Sequence, residues 1–361
     1  MAHDQRNALP NGTSVEGFGI EGVLGAGGFG ITYRAVEAEL ERTVAIKEYL
    51  PGGLAMRGAD GSSVHPLSSA DREDYAFGLQ RFRDEARTLV SFRHPNIVAV
   101  HRFFEANGTA YLVMQYVEGD ALGAILARAG TLTEPEIREI LFPILNGLEE
   151  VHKVGFLHRD IKPGNIFIQV DGVPVLLDFG AARQALGEKS ASMTAIVTAG
   201  YAPFEQYSSR GRQGPWTDIY ALGATLYRAM TGEKPEEATA RIEEDHLVPA
   251  AEAARDRYDP ILLQAIDRAL AMKVADRPQS IAQWRALLTG AADLAAAAPA
   301  PGPAPVPKPA PAPVPQPVPA PPGQPDGGAG AAVRTARQTG PLVAAFVVVA
   351  LIVGLWIYAA T

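Results

Sequence analysis

The chain has 361 residues, is 47% hydrophobic and carries a formal net charge of −8. That is enough apolar material for a sizeable core, in one large or two medium domains. An acidic body without a basic stripe argues against nucleic-acid binding, and the absence of cysteine excludes disulfides and thiolate metal sites.

Residues 1–17 are polar and lack the apolar run of a signal peptide. Strands are expected at Phe18–Leu24 and Gly30–Val36, flanking a Gly-rich turn, and at Thr43–Glu48. Residues Pro51–Asp74, rich in Gly, Ser and Asp, read as a long insertion. Tyr75–Phe92 has helical periodicity, with Phe82, Ala86, Leu89 and Val90 on one face. Ile97–Phe104 and Ala110–Tyr116 return to strand. Beyond Glu118 the pattern is mainly helical, with Thr133–Val154 and Trp216–Thr231 the longest runs. Strands first and helices later imply an α+β, two-lobed body with a small sheet-rich lobe and a larger helical one. The seven histidines show no ligand spacing, so no dedicated zinc site is expected.

Composition changes near residue 291. Residues 291–340 are dominated by Ala, Pro and Gly, as in PAPGPAPVPKPAPAPVPQPVPAPP. Such a segment buries too little to offset its conformational entropy and reads as an extended spacer; an SH3-type ligand is the sharper alternative. Residues 341–360 then include LVAAFVVVALIVGLWIYAA, without a charge. As a helix that run spans roughly 28 Å, close to the thickness of a bilayer's hydrocarbon. The alternative, a helix buried in a core, conflicts with the spacer that isolates it. Arg334 and Arg337 precede the run, so the expected arrangement is a single pass through the inner or plasma membrane with the N-terminal body cytoplasmic.

Four motifs carry chemistry. Gly25-Ala26-Gly27-Gly28-Phe29-Gly30 matches G-x-G-x-x-G, a pattern shared with dinucleotide-binding turns. Here Ile31-Thr32-Tyr33-Arg34 follows, which favours a strand over the helix a Rossmann turn needs. Val44-Ala45-Ile46-Lys47 lies on the third strand. His158-Arg159-Asp160-Ile161-Lys162-Pro163-Gly164-Asn165 and Asp178-Phe179-Gly180 come later. In this order the set resembles the protein kinase family, over roughly Phe18–Leu288, with a domain drawn at 18–290. The wording GAGGFGITYRA and EYLPGGLAMR resembles a bacterial, eukaryotic-like serine/threonine subgroup.

The resemblance implies ATP with Mg²⁺ (Mn²⁺ as an alternative) and transfer of the γ-phosphoryl to protein Ser/Thr hydroxyls. It implies that Lys47 holds the α- and β-phosphates and pairs with Glu85, with Asp84 as the weaker candidate. Asp160 would face the attacking hydroxyl, Lys162 would neutralise the transferred phosphate, and Asn165 and Asp178 would hold the metal. Leu24, Gly25, Gly27, Gly28, Phe29, Gly30, Thr32, Ala45, Met114, Gln115, Val117, Phe167 and Leu177 would surround the nucleotide. Thr32 departs from the usual valine at its position. Leu89, Val100, His158 and Phe179 fall where the family stacks side chains to hold its active state.

Thr198-Ala199-Gly200-Tyr201-Ala202-Pro203-Phe204-Glu205 resembles the close of an activation segment, its Ala and Pro displaced by one position. Glu205 would pair with Arg277, Asp218 would brace the catalytic loop, and Thr198 would contact Asp160 and Lys162. Arg159 implies a phosphate on the activation segment, with Ser190, Ser192 and Thr194 as sites, or none of them. The insertion is expected to act on the Glu85 helix. Protein substrates, the chain itself in trans among them, are the expected partners. A pseudokinase scaffold and a small-molecule phosphotransferase are the competing readings. Lys47, Glu85, Asp160, Asn165 and Asp178 are all present, against the first, and Glu205 with Arg277 builds a protein-substrate platform, against the second.

Overall fold

Alternation starts the first lobe. Phe18 and Ile20 turn inward while Glu21 faces water, the two-residue period of a strand with one covered face. The computed structural model describes residues 7–180, 198–208 and 211–291, all within one unit of the chain, Met1–Pro303. Strands β1 (Ser14–Val15), β2 (Phe18–Gly27), β3 (Gly30–Glu37) and β4 (Arg42–Tyr49) run antiparallel in chain order. After β5 (Ala55–Arg57), β6 (Val64–Pro66) and helix α1 (Arg72–Val90), β7 (Val100–Ala106) and β8 (Thr109–Gln115) complete a six-stranded sheet in the order β1-β2-β3-β4-β8-β7.

Two expectations change here. The stretch Pro51–Asp74 is not one long loop: β5 and β6 pair as a hairpin, Ala55 with Pro66 and Arg57 with Val64, and α1 begins at Arg72. Three-residue strands are too short to show a period in sequence. Val90, placed on the buried face of the helix, is 36% exposed, whereas Phe82, Ala86 and Leu89 are buried together with Tyr75 and Glu85. Val90 is the last helical residue, and its step of about 100° past Leu89 takes it off the packed face.

The second lobe follows β9 (Gly119–Ala121). Helices α2 (Leu122–Ala129) and α3 (Glu134–Lys153) precede β10 (Ile166–Gln169) and β11 (Pro174–Leu176), which form a small sheet with β9. Then come α4 (Pro215–Thr231), α5 (Ala238–Glu243), α6 (Ala250–Ala253), α7 (Pro260–Ala269) and α8 (Ile281–Leu288). Thr133 and Glu136 cap the start of α3 reciprocally, the Thr133 N–H donating to the Glu136 carboxylate at 2.7 Å. Thr133 bonding holds Glu136 below its ordinary pKa. Helix α4 is buried along most of its length, and Trp284 fills the base of this lobe with its indole N–H on the Ala265 carbonyl, 2.9 Å away.

The lobes are stitched at Ile97–Leu176: the Val98 N–H donates to the Leu176 carbonyl (3.1 Å), and the Leu176 N–H to that of Asn96 (2.9 Å). The cleft beside this seam is where the motifs meet.

Candidate active site

The Gly-rich turn joins β2 to β3, with Gly27 opposite Gly30. Glycine at position 30 is required by packing: a Cβ there would lie 2.1 Å from the carbonyl oxygen of Glu48 on β4. A Cβ at Gly25, Gly27 or Gly28 would meet nothing within 4 Å. These three glycines leave open space over a cavity of ≈ 270 Å³ whose other walls include Lys47, Glu85, Asp160, Lys162, Asn165 and Asp178. Phe29 lies at the tip and lines the same cavity.

Strand β4 presents Lys47 to this cavity. Its ammonium lies 3.2 Å from Asp178 Oδ1, with the lysine side chain only 20% exposed. Burial alone would drive its pKa down; the charges of Asp178 and then Glu85 outweigh it and hold the group above its ordinary value. Lys47 is therefore a permanent cation. Two carboxylates share its field: Asp178, 3.2 Å away, and Glu85, the partner that the resemblance implied. Glu85 is buried on α1 and lines the same cavity, and its charge favours the protonated form of Lys47.

The loop after α3 arranges the rest. Lys162 Nζ donates to Asp160 Oδ2 at 2.9 Å. The Thr198 hydroxyl donates to Asp160 Oδ1 at 2.9 Å and lies 3.4 Å from Lys162 Nζ. Asn165 Nδ2 donates to the Asp160 carbonyl (2.8 Å) and to its Oδ2 (3.0 Å). The carboxylate of Asp160 is thus held on both oxygens. That arrangement can orient an incoming hydroxyl while Lys162 keeps a positive charge beside it.

The backbone beneath is held under strain. Arg159 and Asp178 have φ of +68° and +51°, a left-handed conformation that costs a non-glycine residue about 1–3 kcal/mol. Asp218, fully buried on α4, secures the loop: it accepts the N–H groups of His158 (2.9 Å) and Arg159 (2.8 Å) and lies 2.8 Å from His152 Nε2. Burial raises its pKa, but His152 and the further partners dominate, and the net direction is down. Gln206, which sequence reasoning missed, donates from its amide to the Arg159 carbonyl at 2.8 Å. No periodicity or motif marks Gln206; only its place beside Glu205 does.

His158 accepts the Asp160 N–H at Nδ1 (3.2 Å), and its Nε2 is 2.8 Å from the Leu177 carbonyl, where an N–H must donate. One acceptor and one donor describe a neutral ring, and burial lowers its pKa. Its ring lies 4.4 Å from that of Phe179, which also packs on Phe156. Leu89, Val100 and Phe179 share the first lobe's core, with His158 buried beneath.

A second cavity, ≈ 380 Å³, opens beside the first under β8 and the strand that follows it. Leu24, Thr32, Ala45, Met114, Gln115, Val117, Phe167 and Leu177 line it, as does Val98, which the sequence did not single out. Val98 reaches it through the seam between the lobes, a tertiary effect without a local signature. A cavity lined mainly by apolar side chains with a few polar neighbours suits a heteroaromatic ring.

Deeper in the second lobe, Arg277 Nη1 donates to Glu205 Oε1 at 2.8 Å, and the arginine also donates to the carbonyls of Ala271 (2.6 Å) and Met272 (3.0 Å). The Thr217 hydroxyl donates to the same carboxylate oxygen at 3.0 Å. This pair anchors the segment that begins at Thr198. The phosphorylation candidates Ser190, Ser192 and Thr194 lie outside the described residues, as does the apolar run at 341–360.

Among the described residues no group of three His, Asp or Glu side chains could hold a metal by itself. Asn165 and Asp178 instead offer hard oxygens to the first cavity. The amide nitrogen of Asn165 is committed to Asp160, which leaves its oxygen available. Asp178 binds Lys47 through one oxygen and is 39% exposed. Two oxygen ligands fit Mg²⁺, which completes its shell with water and substrate phosphates.

Residues 18–279 match the family model described as the protein kinase domain. This chain belongs to the protein kinase family. It is 34% identical over 269 residues to the serine/threonine-protein kinase PknA of Nostoc sp., covering 70% of this chain and 43% of that protein. It is 34% identical over 223 residues to the serine/threonine-protein kinase PknA of Mycobacterium tuberculosis, covering 60% of this chain and 47% of that one. The chain thus spans less than half the length of these relatives. Among solved structures, the apo form of PpkA-294 superposes with a TM-score of 0.72 at 43% identity, covering 78% of this chain and 99% of that one. By family this kinase domain is of the bacterial serine/threonine type.

Proposed function

We propose that this kinase transfers the γ-phosphoryl group of ATP to serine or threonine hydroxyls of proteins, its own activation segment included, while tethered to a membrane. The observation that carries the catalytic reading is the convergence of Lys47, Asp160, Lys162, Asn165 and Asp178, from three segments distant in sequence, on one cavity, with Thr198 bonded to Asp160 beside it.

The residues divide the work. Phosphoryl transfer demands little covalent chemistry from a protein and much positioning and charge neutralisation. The Gly-rich turn closes backbone over the phosphates, Lys47 binds them, and Met114, Gln115 and Val117 hold the base. Asp160 accepts the hydroxyl proton of the attacking side chain, and Lys162 offsets charge on the group in transit. Mg²⁺, held through Asn165 and Asp178, supplies positive charge at the phosphates when bound. Thr198, bonded to Asp160, supports a serine or threonine acceptor, because a bulkier tyrosine ring would need that space.

The tether rests on sequence alone: an uncharged run at 341–360 after an Ala/Pro spacer, with Arg334 and Arg337 before it. The orientation proposed keeps the kinase domain in the cytoplasm.

The test is incubation of the full-length protein, in detergent, with Mg²⁺ and labelled ATP beside an Asp178→Ala variant, followed by mass spectrometry. Label on Ser190, Ser192 or Thr194 in the parent and none in the variant is expected. ATP binding without transfer to itself or to a generic basic protein would overturn the catalytic reading. Recovery of the protein from the soluble fraction of cells would overturn the tether.

A further inference from the structure

The outer face of the first lobe's sheet hides a charge. Glu48 is 0% exposed and follows Lys47 on β4, so the two side chains leave opposite faces of the sheet. Lys47 faces the cleft. Glu48 faces a network that the motifs do not contain.

Its carboxylate accepts the hydroxyls of Tyr33 and Tyr111, each at 2.8 Å, and pairs closely with Arg57 Nη2. Burial, and then the charge of Glu48, push both tyrosine pKa values up, so both remain donors. Arg57 comes from β5, inside the insertion. Its remaining donors reach the carbonyls of Ser62 (2.7 Å) and Asn7 (2.6 Å). One guanidinium therefore binds β4, the hairpin and the N-terminal segment.

The hairpin makes a second connection. The Val64 N–H donates to the Asn107 carbonyl at 2.7 Å in the β7–β8 turn. That turn approaches so closely that a Cβ at Gly108 would lie 2.7 Å from the Val64 carbonyl oxygen. The Gly108 carbonyl in turn accepts the hydroxyl of Tyr75, in the first turn of α1, at 2.9 Å. Finally Tyr75 and Phe82 of α1 pack against Tyr49 of β4, with ring centroids 5.4 and 5.6 Å apart. The circuit is closed: β4, hairpin, turn, α1 and back to β4.

We propose that Glu48, Arg57 and Tyr75 are positioning residues, and that the 55–66 hairpin is a strut. It fixes the first turn of α1 relative to β4 and so sets Glu85 against Lys47. The catalytic consequence rests on the kinase reading above; the mechanical coupling does not. An error of about 1 Å in placing such a group can cost a hundredfold in rate, so a device that fixes α1 acts on turnover.

The test uses full-length protein in detergent. Tyr75→Phe removes one hydroxyl and keeps the ring. Arg57→Met combined with Glu48→Gln removes the pair without stranding a buried charge. Met56→Ala, on the same hairpin but 49% exposed, is the control. Each is measured for Tm, for hydrogen exchange of residues 72–90 well below Tm, and for kcat and KM for ATP. For the double variant the expected result is faster exchange along 72–90, kcat lower by roughly ten- to a hundredfold, and KM for ATP within about threefold of the parent. Tyr75→Phe moves the same way by less, and Met56→Ala matches the parent. A lower Tm with exchange in 72–90 and kcat both unchanged would overturn the proposal, leaving the network only structural. If the parent transfers no phosphate, the kinase reading fails, and exchange along 72–90 still decides the coupling.

Discussion

Among the described residues, each lobe of this kinase domain buries one arginine–glutamate pair, and the two differ in what they hold. Arg277 and Glu205 lie 72 positions apart in the second lobe, with side chains 0% and 7% exposed. Arg57 and Glu48 lie nine positions apart in the first, at 4% and 0%. The first pair ties the end of the activation segment to the loop before α8. The second ties an insertion and the N-terminal segment to the strand that carries Lys47. Neither pair is strong evidence of stability by itself, because desolvating two charges offsets much of their attraction. What they share is geometry: each of the three nitrogens of both guanidinium groups donates to a named carbonyl, hydroxyl or carboxylate. A buried ion pair fully bonded in this way locks a backbone arrangement, and here each lobe locks a different one.

The comparison can be broken at several strengths. The largest effect is expected from removing one partner. Arg277→Met and Arg57→Met each leave a buried carboxylate uncompensated and should cost about 3–5 kcal/mol in denaturant unfolding. Arg277→Met should also impair phosphotransfer to a protein substrate, whereas loss below about 1 kcal/mol would show the carboxylate reaching water instead.

Replacing both members sharpens the contrast. Arg57→Met with Glu48→Gln should recover more than half of the single-variant loss, because no charge is stranded. A double variant as unstable as Arg57→Met would assign the cost to the carbonyls of Asn7 and Ser62, and not to Glu48.

A pH effect comes next. The folded pKa of His158 is depressed by burial, so the folded state binds fewer protons than the unfolded one. Its contribution to stability is full above the unfolded value, near 6.5, and is lost as pH falls below it, by up to about 1.4 kcal/mol per pH unit. His101, lowered by partial desolvation and then by the charge of Arg42, lies at the surface and adds little to this slope. Unfolding curves between pH 7 and pH 5 should show it, and His158→Asn should flatten it. An unchanged slope in that variant would mean His158 is not the group responsible.

The smallest effect belongs to an exposed pair. Arg128 and Asp120 are 2.6 Å apart, but their side chains are 62% and 55% exposed. Arg128→Ala should change stability by no more than about 1 kcal/mol and lose even that in high salt.

Much of the site was legible because its chemistry demands particular atoms at short range. Asp160, Lys162 and Asn165 fall within six residues and touch one another directly, so their spacing is itself a constraint on the chain. Glu205, Asp218 and Arg277 were legible through resemblance, and each pairs as that resemblance implied. Arg57 was not. Alternation in a three-residue strand is too short to read, and an arginine among Gly, Ser and Asp looks solvated until something buries it. The contact of Lys47 with Asp178 also lay beyond the sequence, because 131 positions separate the two residues and only the fold brings them together.

Local rules thus determined the order of strands and helices, the Gly-rich turn and the catalytic loop, because propensity, periodicity and close spacing act within a few residues. Tertiary structure alone decided that Val98 lines the second cavity, that Gln206 holds the loop after α3, and that Glu48 is buried behind Lys47. Each depends on segments far apart in the chain excluding water together, and desolvation is a property of the assembled fold.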